Sequence, residues 1–373
     1  MMLLKKYNLF LIIIMLILNA VILTAADTSA VVTSDETARC LNCHNPRQEK
    51  LVQNWEKSKH ALNSVGCYEC HQADPTDTAA IKGHFGFNVQ LPVSPLRCAS
   101  CHPDEYASFA SSTHAMAYET IRNAEIASIA PAVFQSSCAL CHGNNLKMEN
   151  GKPDANHWPN HGIGRINTDG SRGNCVACHS HHEYSLEVAR SASTCGRCHS
   201  GKTGPAYEAW KGSKHGSNWE LAKVHTDYRT TSIKPEKSSL AYPDCFVCHI
   251  GETSPDANNS THNPGERISW KLAAIKSTMR EGWGPKRLEM QKVCRSCHGN
   301  SQVDLYYRRL DATIMEINHL TEAAANNLAS SSHDFYELKG GAISAKTGAA
   351  MLGPLQVRDG YDAIQEINSK NNK

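Results

Sequence analysis

Apolar and polar positions alternate with the period of a helix in only a few places along this chain, and nowhere with the period of a strand. The first apolar stretch, Leu9 to about Ala26, follows Lys5 and Lys6 and carries no charge. Its length and flanks predict an export segment over residues 1–26, with a cleavage site at Thr24-Ala25-Ala26 favoured over a retained membrane anchor. Between Asp104 and Ile129, the positions Tyr106, Phe109, Met116 and Ile121 share one helix face, which Pro131 ends. Leu310, Ile314, Ile317, Ala324 and Leu328 predict a long helix in a C-terminal helical region, 301–373. The remainder is broken chain. Gln72 to Leu96 holds Pro75, Pro92 and Pro95 and carries His84 beside Phe85 and Phe87. Gly143 to Gly173 is rich in Gly, Asn, Pro and His. Gly216 to Asp244 is polar and carries His225, and Gly251 to Gly265 carries His262. The expected fold is mainly α with extensive irregular loops.

The cysteines change the picture, because all sixteen fall into eight copies of C-x-x-C-H. The pairs are Cys40 and Cys43, Cys67 and Cys70, Cys98 and Cys101, Cys138 and Cys141, Cys175 and Cys178, Cys195 and Cys198, Cys245 and Cys248, and Cys294 and Cys297. The histidines that follow are His44, His71, His102, His142, His179, His199, His249 and His298. Zinc sites and disulfides both use paired cysteines, but neither requires a histidine directly after the second one, eight times over. Thioether attachment of haem does: two thiols add to the vinyl groups and the adjoining imidazole ligates the iron. Eight covalently bound haems c are therefore expected, in a multihaem cytochrome c assembled outside the cytoplasm, periplasmic or otherwise extracytoplasmic.

With residues 1–26 removed, 347 residues serve eight motifs, about 43 each, far below the length of an ordinary domain. The porphyrins must then supply much of the apolar core, which predicts one haem-packed body over 27–300. Cys175 and Cys195 begin motifs twenty residues apart, so their haems should be close neighbours. The formal charge of +2, with no basic cluster interleaved with aromatics, gives no sign of nucleic-acid binding.

A second pattern repeats. Trp55-Glu56-Lys57-Ser58-Lys59-His60-Ala61, Ser112-Thr113-His114-Ala115 and Trp210-Lys211-Gly212-Ser213-Lys214-His215-Gly216 each place Ser-x-His-small after a motif. A repeated local frame argues for a repeated task, and the task on offer is the second axial ligand of a haem.

The run Trp158-Pro159-Asn160-His161-Gly162-Ile163-Gly164-Arg165-Ile166-Asn167-Thr168-Asp169-Gly170-Ser171, leading to Cys175-Val176-Ala177-Cys178-His179-Ser180-His181-His182, resembles the octahaem hydroxylamine oxidoreductase family. So do Ser213-Lys214-His215-Gly216, Thr261-His262-Asn263 with Arg267-Ile268-Ser269-Trp270, and Gly348-Ala349-Ala350-Met351-Leu352-Gly353-Pro354. The resemblance implies seven haems with two histidine ligands each and a catalytic fourth haem, at His142, whose far face is open. It places the distal ligands at His60, His84, His114, His157, His182, His215 and His262. His161, His181, His225, His319 and His333 are left over, the last two read as surface.

Three departures stand out. Family members that oxidise hydroxylamine carry a tyrosine shortly after the stretch matching Gly348 to Pro354, bonded to the catalytic haem of a neighbouring subunit; here Leu355 or Gln356 stands there. The family's distal Asp-His pair has its nearest counterpart in His225 with Asp227, and the chain is short after the last motif. Without the cross-link the resemblance points to reduction of a small nitrogen-oxide substrate, nitrite to hydroxylamine or ammonia, with His225 delivering protons. It also implies a homotrimer and a redox partner that is a cytochrome or a quinol-linked complex. The rival reading is a non-catalytic electron-transfer subunit of a membrane respiratory complex, with hydroxylamine oxidation ranked below both.

Overall fold

The computed structural model describes residues 33–122, 131–149, 151–201, 204–222, 243–251, 260–273 and 275–337, with side chains in the last helix to residue 327. The N-terminal apolar run, His225, Asp227 and the segment from Gly348 to Gln356 lie outside the described residues, as does the side chain of His333. The chain divides into two compact units, Met1–Glu69 and Cys70–Lys373.

In the first unit, Asp35–His44, Glu49–Glu56 and Lys59–Leu62 are helices. Ser34 caps the first, its hydroxyl accepting from Thr37 N at 3.2 Å, the usual device for an orphan N–H at a helix start. Val52, Trp55 and Ala61 are buried together, with Leu41 and Leu51 against them. Trp55 Nε1 donates to Val65 O at 3.0 Å, which ties the turn after the third helix back onto the second.

The second unit is a succession of short helices and irregular chain. Its buried apolar clusters are small: Phe246, Val247 and Val293 with Ile250 and Met290, and Tyr118, Phe134 and Ala139 with Ile121, Cys138 and Ile166. So thin an apolar core is what a chain shows when a large apolar group other than its own side chains fills the interior.

The expected absence of strands does not hold. Ile81–His84 pairs with Phe87–Val89, Met148–Glu149 with Lys152–Pro153, and Trp270–Lys271 with Thr278–Met279, each an isolated antiparallel pair. Strands of two to four residues are too short to display alternation. The first pair turns on Gly83, Phe85 and Gly86, all at positive φ, and it presents His84 edge-to-face with Phe85 at 5.1 Å between ring centres. The continuous helix expected from Asp104 to Ile129 is also broken. It runs over Pro103–Ala110 and gives way to a turn and a short 3-10 segment, Tyr118–Thr120. Ser111, Ser112 and Thr113 compete with the helix for backbone hydrogen bonds, and Ser112 Oγ accepts from Ala115 N at 3.3 Å.

The C-terminal helix, Asn300–Glu337, forms as expected, but it is anchored to the chain before it instead of standing apart. Asp311 takes a two-pronged ion pair from Arg287, at 2.6 and 2.7 Å, and accepts from Trp270 Nε1 at 2.8 Å. The same guanidinium lies 5.0 Å over the rings of Trp283 and Tyr307. One turn pair further along, Asn318 exchanges two hydrogen bonds with the backbone of Ser277, at 2.6 and 2.8 Å. Ile314 is buried on this face, whereas Ala324 and His319 are exposed. No described helix is long and apolar enough to cross a membrane.

Candidate haem-binding network

The three Ser-x-His-small frames fold alike. In each, a helix ends, the serine hydroxyl accepts from the backbone N–H three residues on, and a new turn begins: Ser58 to Ala61 at 3.1 Å, Ser112 to Ala115 at 3.3 Å, Ser213 to Gly216 at 3.2 Å. The small residue is required because it faces the preceding helix. Ala61 and Ala115 are 1% exposed, and a Cβ on Gly216 would lie 2.3 Å from Trp210 O. The histidine between cap and small residue is thus aimed by local chemistry alone.

Two of these histidines face a motif histidine. His114 lies 5.9 Å from His199 between ring centres, and His215 lies 5.8 Å from His298. Two more of the expected distal ligands do the same, His182 at 6.4 Å from His71 and His262 at 6.5 Å from His179. An iron bonded to two imidazole nitrogens at about 2 Å each separates the ring centres by roughly 6 Å. All four pairs fit an iron between the rings and are too far apart for direct stacking contact. Burial favours the neutral form, which a ligand must have, in five of these rings: it holds His114 and His182 down to about 4 and lowers His199, His215 and His262.

The other ring nitrogen is held in several of them. His71 Nδ1 is 2.8 Å from Gln90 O, His142 Nδ1 is 3.0 Å from Ala117 O, and His44 Nδ1 is 2.8 Å from the Gln48 side-chain oxygen. Such contacts fix the tautomer and leave Nε2 for a metal. All sixteen thiols are free, and among the described residues no three His, Cys, Asp or Glu side chains converge as a metal cage would require. The donor set suits thioether attachment with axial imidazoles.

Thiols of different motifs approach one another. Cys98 lies near Cys175, Cys141 near Cys198, and Cys195 near Cys245. Cys178 likewise lies near Cys195, and Cys248 near Cys294. The motifs therefore connect as third, fifth, sixth, seventh and eighth, with the fourth joined to the sixth. The neighbourhood expected from the twenty-residue spacing of Cys175 and Cys195 is part of that chain.

The fourth motif is lined by a polar stretch of chain. The stretch from Asn160 to Arg165 runs along it: Ile163 N donates to Cys141 O at 2.9 Å, and Asn160 exchanges hydrogen bonds with Asn144 at 3.1 and 2.7 Å. A Cβ on Gly162 would lie 2.0 Å from Gly143 N, so only glycine permits this approach. The stretch brings His161, whose ring is 6.2 Å from His181 and 6.1 Å from Trp158. Just before it, His157 Nδ1 is 2.6 Å from Asp154 Oδ2. His157 faces this carboxylate and, among the described residues, no motif histidine. The same holds for His142 and His249, which have no second ring opposite them among the described residues. The Asp154–His157 pair and the His161–His181 contact were not anticipated, although Asp-x-x-His is a spacing that can be read from sequence.

The family described as "Seven times multi-haem cytochrome CxxCH" matches residues 63–337, a span holding the second to eighth motifs. The chain belongs to this multi-haem cytochrome family. A second family, "Cytochrome c554 and c-prime", matches residues 19–72, where the first motif lies. The multi-haem cytochrome is 21% identical over 334 residues to a probable nitrite reductase-hydroxylamine oxidoreductase fusion protein of Kuenenia stuttgartiensis, covering 74% of this chain and 36% of that one. It thus spans about a third of that relative's length. Among solved structures it is similar to a hypothetical multiheme protein, with a TM-score of 0.75, 24% identity and 87% of each chain covered. It also resembles the reducing HAO-like protein complex of Kuenenia stuttgartiensis, with a TM-score of 0.59, 20% identity, 80% of this chain and 63% of that chain. Its fold is that of hydroxylamine oxidoreductase-like multihaem cytochromes, and it carries covalently bound haem c.

Proposed function

We propose that this cytochrome carries eight haems and performs nitrogen-compound redox chemistry, reducing nitrite to hydroxylamine or ammonia at the fourth motif. The observation that supports this most is the polar lining laid along Cys138–His142, with its two histidines that face no motif histidine. When bound there, haem supplies an iron coordination position and a route for several electrons. The chain's own residues supply the rest. His142 holds the near side with its Nδ1 fixed on Ala117 O. Asp154 orients His157, and His161 contacts His181, so imidazoles stand beside the motif where they would relay protons. His225 and Asp227 remain candidates for the same task outside the described residues.

His71, His102, His179, His199, His249, His298 and His44 would hold the other irons, with His182, His262, His114 and His215 as second ligands for four of them and His60 and His84 for others. The proximity of the motifs supports close-packed haems, between which electrons would reach the fourth motif through the sixth. The protein acts in an extracytoplasmic compartment, takes electrons from a cytochrome or quinol-linked partner, and assembles as a non-covalent homotrimer. The relatives named for nitrite and hydroxylamine chemistry support the substrate class. Electron paramagnetic resonance of the purified ferric protein tests the proposal. One high-spin centre that responds to nitrite or hydroxylamine, beside low-spin haems that do not, is the expected result; a protein whose haems are all low-spin and indifferent to both is an electron carrier instead.

A further inference from the structure

The motif histidine of the fourth site shares its hydrogen-bond acceptor. His142 Nδ1 lies 3.0 Å from Ala117 O, and the Thr120 hydroxyl donates to the same oxygen at 2.7 Å while standing 3.5 Å from Nδ1. A carbonyl has two lone pairs and a threonine hydroxyl one proton. With that proton on the carbonyl at the shorter distance, the imidazole N–H takes the second lone pair. The carbonyl is fixed from several sides. Ala117 N donates to His114 O at 3.1 Å, Tyr118 is buried against Phe134 and Ala139, and a Cβ on Gly164 would lie 2.8 Å both from Ala117 N and from His142 O. The backbone that bears the acceptor and the backbone that bears the ligand are thus packed on one glycine. The second motif differs: among the described residues, Gln90 O takes His71 Nδ1 at 2.8 Å and no other hydrogen bond.

The hydrogen bond behind a ligating imidazole sets how strongly its other nitrogen donates to a metal. A strong acceptor at Nδ1 gives Nε2 anionic character, which tightens the bond to iron and favours the oxidised state. An acceptor already engaged by a second donor pulls less on the imidazole proton. We propose that Thr120 is a positioning residue of the fourth-motif site: by occupying the Ala117 carbonyl beside His142, its hydroxyl keeps this ligand a weaker donor, and holds the iron there at a higher reduction potential than the carbonyl alone would. The inference rests on the reading of the fourth motif as an open haem. A more readily reduced iron suits a site that must pass electrons to a bound nitrogen oxide.

Resonance Raman spectra of the fully ferrous holoprotein test this, because a haem with a single histidine ligand gives an iron–histidine stretching band and haems ligated by two histidines do not contribute to it. In Thr120→Val the added methyl takes the hydroxyl's place and keeps water off the carbonyl. The band should move to higher frequency, and the high-spin ferric signal, followed through a redox titration, should be lost at lower potential than in the parent while the low-spin signals overlay. Thr120→Ala, which admits water at this exposed position, should shift both in the same direction but less, and it decides the matter if Thr120→Val does not mature. Thr120→Ser keeps the hydroxyl and should match the parent. Valine and alanine spectra that overlay the parent overturn the proposal, as does a shift to lower frequency or a serine variant displaced as far as the valine one. A parent with neither the band nor a high-spin signal overturns it differently, by removing the open haem on which it rests.

Discussion

Single side chains in this protein are held in unusual protonation states by burial, and each has a measurable consequence. His182 is neutral and faces His71 across the width of a ligated iron, so His182→Ala should turn the haem at the second motif from low-spin to high-spin. The number of covalent haems should stay unchanged, with spin state read by paramagnetic resonance and haem number by mass. Asp244 is 1% exposed and accepts from Val247 N at 3.1 Å at the start of the seventh-motif helix. Burial outweighs these backbone donors and pushes its carboxyl up to about 6. The folded state thus keeps a proton that the unfolded chain releases near 4, so the contribution is fully present below that pH and is lost as pH rises through 6. Asp244→Asn, which keeps an N-cap acceptor, should gain stability relative to the parent between pH 4 and 7, by on the order of 2 kcal/mol. Melting temperatures at the two pH values check it, and parallel pH dependences for parent and variant would contradict it. The motif histidines and, of the distal set, His60, His114 and His215 were legible in the sequence because their spacing to cysteine or to a serine cap is local, whereas His182 and His262 were reached only through the family resemblance. The pairing of Asp154 with His157 was not legible, since it depends on how the folded chain turns between them.

At the level of elements, the Ser-x-His-small frame shows why some pieces of this fold could be read and others could not. A serine that accepts from the N–H three residues on makes its turn without help from distant chain, so three frames were recognisable from seven residues or fewer. The frame's last position is equally local, and Gly216→Ala tests it. The added methyl meets Trp210 O and the Lys211 backbone at 2.3 to 2.9 Å, and relieving the clash should cost about 1–3 kcal/mol. It should also move His215 away from His298, so that part of the eighth-motif haem becomes high-spin. Ser112→Ala should cost about 1 kcal/mol by loss of the cap and loosen His114 opposite His199 in the same way. Thermal melts and spin-state measurements on each variant distinguish a shifted ligand from a general loss of stability. The strand pairs were invisible for the opposite reason: Met148 and Glu149 become a strand only because Lys152 and Pro153 return beside them, and neither pair carries a pattern of its own. The helix predicted through Ser111 to Thr113 failed because polar side chains ended it, and that break is what frees His114 to face His199.

At the scale of the whole molecule, the buried apolar clusters among the described residues are small, and the motifs are distributed so that haem would complete the core. Among the described residues the buried apolar clusters hold three residues each, little to set against a backbone ordering cost of roughly 1–2 kcal/mol per residue. The sequence showed this through its ratio of residues to motifs; it could not show which motifs lie together, because the approach of Cys141 to Cys198 or Cys98 to Cys175 joins segments far apart in the chain. If haem is the core, its loss should not be a local event. Chain produced without haem attachment should lack a cooperative melting transition and should exchange its backbone amides rapidly throughout. Matured protein should melt cooperatively and carry eight haem increments in its intact mass. A single vacancy should behave differently from a general one. Cys141→Ala removes the attachment at the fourth motif, whose thiol lies near only the sixth motif among those described, so the remaining haems should stay in place and fully reducible while the response to nitrite disappears. Cys195→Ala interrupts the path at a thiol near both Cys245 and Cys178, and should lower both haem retention and melting temperature further than Cys141→Ala does. Equal losses in the two variants would mean that the haems are held independently and that the network of thiols has no part in holding the molecule together.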